Sequence, residues 1–576
     1  MTAPGTPGIE ELLATVPPGE TPDLNGAYPR FDEPRIASLE ALGERRPTER
    51  GEVLIAEGDQ ERTFYVVLAG RVAVVEAFGT AEQRVVWVHG PGRFLGELGL
   101  VTGQAAFLTS VVAEPGEVLA VPADRFRALA TEDPAFGDTV LRAYLVRRSL
   151  ALGEGIGFRI VGSRFSPGSR RLLEFAARNR LPHRFVDLET DPSAERLIRE
   201  LDLAPSDTPI VLFRNRLLRN PSTTELAAEF GLYEPAVEGG VADLVVVGAG
   251  PAGLAAAVYG ASEGLETVLL DAVATGGQAA RTSRIENYLG FPTGISGGEL
   301  AERALLQAER FGAHRAVPAK AVGMRWRDGD YVLELADGHQ VAARCVVIAT
   351  GVHVRRLKAR RLEEFEDACV YYAATPVEAR QCIGDPVVVV GGGNSAGQAA
   401  AFLAGHAVEV RMVLREGSLD EQMSRYLADR IAHDPRIEVH LRAEVEELEG
   451  ESGQLASVVV RDTRTGHRYR LPARYLMVFI GGDPCTSWLS DSVALDAGGY
   501  VLTGPNAQRA VGDATLAGPA PSLLETSWPG VFAAGDVRSG SVKRVASAVG
   551  EGAMAVRFVH EHLATARGPT TEECAE

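Results

Sequence analysis

Two glycine turns, Gly248-Ala249-Gly250-Pro251-Ala252-Gly253 and Gly391-Gly392-Gly393-Asn394-Ser395-Ala396, are where the residue types and spacing of this 576-residue chain could do chemistry. Each leaves an apolar β-branched run, 244–247 and 387–390, and opens into a stretch of small residues. The first glycine of such a turn lets the backbone double back, and the second lets it approach a pyrophosphate. The small third residue (Gly253, Ala396) lets a helix pack on its strand, so the anion rests on N–H groups at the positive end of that helix. Asp271 ends the next apolar run, about 20 residues past the first turn, where a carboxylate can hold a ribose 2′-hydroxyl. Two dinucleotide sites are expected; glycine turns without a ligand are the plain alternative.

Cysteine is the other candidate for chemistry. The five present, Cys345, Cys369, Cys382, Cys485 and Cys574, include no C-x-x-C pair. Cys369 and Cys382 would need the fold to bring them together, and small buried hydrophobes are the simpler reading. So few unpaired thiols suit a reducing compartment, and a cytoplasmic location is expected. No metal site is expected.

The elements that position these residues belong to a chain too long for one core. A net charge of −19 argues against a nucleic-acid surface, which needs clustered cations. The most apolar windows coincide with the glycine turns and are interrupted, so no membrane span is expected. The expected fold class is multidomain: an N-terminal β-roll, a small α/β domain, then two Rossmann-like dinucleotide-binding domains. Residues 1–35 read as a mobile arm or surface strap, and 36–150 as short alternating strands closed by an amphipathic segment over 123–148. Residues 155–235 alternate strand and helix. The first dinucleotide domain spans 241–351 and resumes over 485–567, with 352–484 inserted between.

Over residues 241–562 the chain resembles the low-molecular-weight thioredoxin reductases. Besides the first turn it carries Gly276-Gly277-Gln278, Glu286-Asn287, Ala349-Thr350-Gly351 and Gly530-Val531-Phe532-Ala533-Ala534-Gly535-Asp536, in the order that group uses. The resemblance implies FAD as cofactor, contacted by Gly277, Gln278, Asn287, Thr350 and Gly351. It places Gly535 and Asp536 at the ribityl and phosphate, and Lys543, Arg544 and Val545 at the isoalloxazine edge. It also implies a nicotinamide dinucleotide on Gly391, Gly393 and Ala396. Family members that use NADPH hold its 2′-phosphate with two arginines after the next strand; here that place reads Arg415-Glu416-Gly417-Ser418. Arg415 favours NADPH, while Glu416 would suit NADH. The family's Cys-Ala-Thr-Cys-Asp dithiol is replaced by Ala373-Ala374-Thr375-Pro376-Val377. Exchange with a disulfide needs a thiolate, so electrons are expected to leave the flavin directly.

Residues 36–150 look like the cyclic nucleotide-binding domain through Gly51-Glu52, Glu57-Gly58-Asp59, Gly70-Arg71-Val72 and Phe94-Leu95-Gly96-Glu97-Leu98-Gly99-Leu100. That resemblance implies a regulatory ligand at Gly96, Glu97 and Leu98. Ala106 stands where the family has its phosphate-binding Arg, so a cyclic nucleotide is expected to bind weakly. Residues 155–235 resemble a thioredoxin or glutaredoxin fold with Ser166-Pro167-Gly168-Ser169 in place of the redox motif, which leaves a docking or spacer role. The whole reads as an FAD-dependent NAD(P)H oxidoreductase, expected as a homodimer, whose external acceptor is a ferredoxin-like protein, a quinone, a small disulfide or oxygen. The alternative is a nucleotide or redox sensor with incidental turnover, and thioredoxin-disulfide reduction ranks behind both. No catalytic side chain is singled out.

Overall fold

The computed structural model describes residues 9–59, 63–80, 83–96, 105–191, 203–204, 207–213, 216–232, 240–282, 284–366, 369–372, 374, 376–451, 454–489, 492–511 and 521–566. The chain divides into two compact units, Met1–Pro235 with Arg315–Pro318, and Ala236–His314 with Ala319–Glu576.

In the first unit, antiparallel strands run in the order Glu44–Thr48, Thr109–Pro122, Thr63–Glu76, Arg84–His89, with Val53–Ile55 and Phe94–Leu95 added to the two long strands. Buried residues run consecutively over 72–76 and 109–113 of the long strands, so both faces are covered there: Val72 and Val74 pack with Ile55, Val67 and Leu95, and Ala73 and Val75 face the other way. Phe31, Phe64, Phe94, Phe126 and Phe136 form its aromatic core. Residues 9–31, expected as a mobile arm or surface strap, are anchored at particular side chains: Leu12 and Leu13 join Ala73, Val75, Val111 and Ala113, and Tyr28 is buried. The amphipathic segment expected over 123–148 is two helices, Ala123–Glu132 and Pro134–Glu154. Pro134 has no N–H to continue the first, and the Asp133 side chain accepts from Phe136 N at 3.0 Å to cap the second. A four-stranded sheet follows, ordered Arg216–Arg219, Ile210–Phe213, Phe158–Gly162, His183–Asp187, with helices Pro167–Arg178 and Thr223–Glu229. The Thr208-Pro209 peptide bond is cis.

The second unit has two layered α/β parts. In one, Val241–Val247 lies parallel between Thr267–Leu270 and Gln340–Ile348, and Val531–Ala533 runs parallel on the far side of Gln340–Ile348. Asp330–Leu335 and Ala321–Arg327 extend the sheet antiparallel. Helices Pro251–Ser262, Gly297–Arg310 and Val545–Ala566 cover it around a core rich in alanine. The other part is a parallel sheet ordered Val370–Tyr371, Tyr475–Val478, Pro386–Val390, Glu409–Val413, Ile437–His440, with an antiparallel trio Ala443–Glu451, Gln454–Asp462, Arg468–Pro472. The strand pair Val352–Val354 and Gly482–Pro484 joins the two parts. Among the described residues, no helix is long and apolar enough to cross a membrane, and no group of His, Cys, Asp and Glu could hold a metal ion.

Candidate functional site

The first glycine turn stands between strand Val241–Val247 and helix Pro251–Ser262, and each glycine answers a different steric demand. Gly248 has φ +107°, and any side chain there would strike the Ala349 carbonyl. A Cβ at Gly253 would collide with the Gly248 carbonyl, so this glycine fixes how closely helix and strand approach. Gly250 is different: a Cβ would meet only Gly277 Cα, at 3.9 Å. Gly277 itself has φ +55° and a Cβ there would come 2.9 Å from Gly250 Cα. The two glycines face each other and keep a crevice clear at the helix N-terminus, which no side chain caps. This is the shape and polarity a pyrophosphate needs.

Asp271 closes the turn from below. Its Oδ2 accepts from Ala249 N at 2.8 Å, and its Oδ1 from Val273 N at 2.9 Å and Ala274 N at 3.0 Å. Gln278 Nε2 donates to Val352 O at 3.3 Å, Thr350 Oγ1 donates to Cys485 O at 2.8 Å, and Gly351 is left-handed at φ +63°. Asn287 is exposed; its neighbour Glu286 pairs with Arg430 at 3.3 Å.

Gly535 and Asp536 reach the same helix from the far end of the sheet. Gly535, at φ +78°, packs so closely that a Cβ would lie 2.9 Å from Ala252 Cβ. Its N–H donates to Glu551 Oε2 at 2.7 Å, and Glu551 also pairs with Arg538, which pins the turn to helix Val545–Ala566. Burial pushes the Asp536 carboxyl up from its ordinary range, against the opposing pull of Lys543. Lys543 Nζ donates to Asp536 O and to Ser541 Oγ and lies 4.6 Å from the Tyr500 ring centroid; burial draws its own pKa down. Arg544 is exposed and Val545 begins the helix. Glu551 and Tyr500 escaped the sequence reading because their roles depend on contacts across the fold.

The second turn repeats the design. Gly391 has φ +135° with the Phe479 carbonyl against it, Ala396 is fully buried, and a Cβ at Gly393 would meet nothing within 4 Å. Gly393 caps helix Asn394–Leu403 without a side chain. Beyond strand Glu409–Val413 the charges are mixed. Arg415 is exposed, whereas the Glu416 carboxylate lies over the turn, where a Cβ at Gly392 would come 2.6 Å from Oε2. A second guanidinium, missed in the sequence, stands close by: Arg442 Nη2 would be 2.9 Å from a Cβ at Gly417. Arg442 has φ +53°, donates its N–H to Glu416 O at 3.0 Å, and comes from the next loop, so no local spacing announces it.

Cys369 and Cys382 are both buried, in different clusters. Cys382 packs with Val387 and Val389, and Cys369 with Val388 and Val390. Alternate residues of one strand face opposite ways, so the two thiols lie on opposite faces of the sheet. Burial pushes the Cys382 and Cys345 thiols up to about 12. Ala374 is buried with Cys382; Ala373 and Thr375 lie outside the described residues. In the first unit, Gly96 has φ +89°, and Glu97 and Leu98 lie outside the described residues.

Fold and site together define an NAD(P)H-dependent flavoprotein oxidoreductase. Residues 242–552 match the pyridine nucleotide-disulphide oxidoreductase family, more than half of the chain, and the protein belongs to that family. Residues 45–133 match the cyclic nucleotide-binding domain. The chain is 31% identical over 363 residues to NADPH-dependent thioredoxin reductase 3 of Arabidopsis thaliana, covering 60% of this chain and 65% of that one. It is 31% identical over 322 residues to a 34.2 kDa protein in the rubredoxin operon of Clostridium pasteurianum, covering 56% of this chain and 97% of the relative. The solved thioredoxin reductase of T. acidophilum superposes with a TM-score of 0.51 at 29% identity, covering 56% of this chain and 99% of that structure. The protein is thus multidomain, of mixed α/β content, with a thioredoxin reductase-like dinucleotide-binding fold, and its family uses FAD and NADPH.

Proposed function

We propose that this protein oxidises NAD(P)H and passes the electrons to an external acceptor without an internal dithiol. The observation that carries this reading is the cysteine arrangement: the sequence has no C-x-x-C, and Cys369 and Cys382, which flank Ala373-Ala374-Thr375-Pro376, face away from each other across a sheet. Thiol–disulfide exchange needs a partner sulfur within reach. Bound FAD would supply the hydride-accepting chemistry. The crevice between Gly250 and Gly277, with the Gly535-Asp536 turn beside Ala252, is the proposed place for its pyrophosphate and ribityl chain, and Lys543 to Val545 the proposed edge of the ring. Residues 352–484 are read as the nicotinamide domain, inserted into an FAD domain of 241–351 and 485–567. Residues 36–150 are read as a β-roll and 155–235 as a thioredoxin-like spacer. The assembly is read as a cytoplasmic homodimer.

The proximity of Arg442 to the Arg415 loop supports NADPH as donor. With two guanidiniums near the 2′-phosphate, Arg415→Ala and Arg442→Ala should each weaken NADPH by about 1.5–3 kcal/mol, roughly ten- to a hundredfold, and leave NADH nearly unchanged. Glu416 would then act against NADPH, and Glu416→Gln should improve it. A steady-state screen of both nucleotides against ferredoxin, quinone, thioredoxin and oxygen tests the main proposal. Turnover with an acceptor other than thioredoxin is expected; thioredoxin-dependent turnover lost on changing Cys369 or Cys382 would overturn it.

A further inference from the structure

Among the residues proposed to edge the flavin ring, Lys543 is held by groups from two separate segments. Its ammonium donates to Asp536 O and, at 3.1 Å, to Ser541 Oγ, and it lies over the Tyr500 ring, 4.6 Å from the centroid. An ammonium has three N–H donors and a ring face attracts a cation within about 6 Å, so two oxygens and one ring satisfy it. The oxygens belong to the lysine's own stretch of chain; Tyr500 brings the ring from another. With the ring gone, one donor loses its partner and the flexible four-carbon stem can swing the charge towards water. Burial draws the lysine pKa down and Arg538 adds to this, while Asp536, Glu551 and Asp496 oppose it. Asp536, whose carbonyl Lys543 binds, follows Gly535, and that turn packs on Ala252 at the start of the crevice helix. A cation so placed favours the reduced, more negative form of a bound flavin and raises its potential.

The Tyr500 ring is itself fixed. Its backbone N–H donates to Asp496 Oδ1 at 3.0 Å, and Asp496 Oδ2 accepts from Ser539 Oγ at 2.6 Å, which ties the tyrosine to the segment that carries Lys543. The hydroxyl reaches elsewhere. Tyr500 Oη donates at 3.3 Å to Gly482 O, on the strand Gly482–Pro484 that brings the chain back from the second α/β part. The same carbonyl accepts from Arg355 Nη2 at 3.4 Å, and Arg355 pairs with Asp483 at 2.7 Å. A Cβ at Gly482 would strike the His353 carbonyl, so this strand is locked against Val352–Val354 and the two move together. One phenol therefore bears on a cation in the flavin part with its face and on the joining strands with its oxygen.

With residues 543–545 read as the flavin edge and 352–484 as the nicotinamide domain, on which this rests, we propose that Tyr500 is a positioning residue that couples the two: its ring holds Lys543 where the charge raises the flavin potential, and its hydroxyl makes that hold depend on the joining strands. Such coupling is reciprocal, so nucleotide binding and flavin reduction affect each other by the same factor.

Spectroelectrochemical titration of the full-length, FAD-loaded protein tests this, alone and with saturating tetrahydro-NADP or tetrahydro-NAD, analogues with no hydride to transfer. Lys543→Met and Tyr500→Leu should each lower the potential of the nucleotide-free protein by about 30 mV, a tenfold change in the oxidised-to-reduced ratio for a two-electron couple; Lys543→Arg, which keeps the charge, should not. Tyr500→Phe keeps the ring and loses the hydroxyl. It should leave the nucleotide-free potential in place and abolish the shift of about 30 mV or more that the analogue causes in the wild type. Analogue affinity should accordingly differ about tenfold between oxidised and reduced wild type, and be equal in Tyr500→Phe. A potential unmoved in Lys543→Met or Tyr500→Leu, no analogue-induced shift in the wild type, or a full shift surviving in Tyr500→Phe would each overturn the proposal. If Tyr500→Leu does not fold, Lys543→Met and Tyr500→Phe decide. Failure of the underlying flavin reading looks different: the wild type would take up no FAD, or its visible absorbance would not bleach with NADPH or NADH, and the coupling would fall with it.

Discussion

A single added methyl separates the jobs of neighbouring glycines. At Gly250 a Cβ has room within the protein and intrudes only on the crevice, whereas at Gly253 it strikes the Gly248 carbonyl. Gly250→Val should therefore leave the fold intact and colourless, and Gly253→Ala should lower the melting temperature through overpacking of about 1–3 kcal/mol or more. Visible absorbance and a thermal melt, measured on both variants, distinguish the two. The thiols make a second prediction at this scale. Cys345 and Cys382 are held up to about 12, so at neutral pH both stay protonated, and thiolate accumulates only as pH climbs towards that value. The sign for stability is the same. Above the ordinary value of 9.0 the unfolded chain loses protons that the folded chain keeps, so their contribution is intact at neutral pH and falls as pH rises from about 9 to 12. Of the four described cysteines only Cys485 is partly exposed, beside His353 Nδ1 at 3.8 Å. Iodoacetamide at neutral pH should label Cys485 ahead of the other three and leave flavin reduction by nicotinamide unchanged, read by peptide mass mapping and stopped-flow absorbance.

Helix against helix is where the first glycine turn acquires its rigidity. Gly552 in helix Val545–Ala566 lies on the Ala252 carbonyl of helix Pro251–Ser262, so close that a Cβ would collide with it. Gly552→Ala should push the helices apart, destabilise the unit by about 1–3 kcal/mol, and loosen FAD although residue 552 lies outside every recognised motif; flavin retention during dialysis and thermal unfolding would show both effects. This contact marks the limit of sequence legibility. Strand, turn and helix around Gly248 and Gly391 were readable because periodicity and glycine spacing are local signals. Arg442, Glu551 and Gly552 were not, since each acts on residues far away in sequence. The helix break at Asp133-Pro134 was readable in principle, as a capping residue before a proline, but the amphipathic pattern runs across it. The opposite-facing thiols were half-visible: the alternation in 387–390 defines two faces, and only the fold assigns a cysteine to each.

For the molecule as a whole, the consequence lies in how the chain travels. It leaves the first sheet of the second unit after Gln340–Ile348, and it is back beside its point of departure at Cys485, whose N–H donates to Gly351 O at 3.0 Å. Val352–Val354 and Gly482–Pro484 are the outward and return crossings, paired edge to edge. Cutting one crossing would not sever the protein, because the two pieces remain joined by strand Val531–Ala533 on Gln340–Ile348 and by the helices Pro251–Ser262 and Val545–Ala566. A protease site placed between His353 and Val354 should yield two bands under denaturing conditions and one species by native gel filtration. Such a nicked protein is in effect a two-piece kit: fragments 1–353 and 354–576 could be made separately and mixed, so that the Arg415 loop proposed to read the nicotinamide is varied in one piece while the crevice between Gly250 and Gly277 stays unchanged in the other.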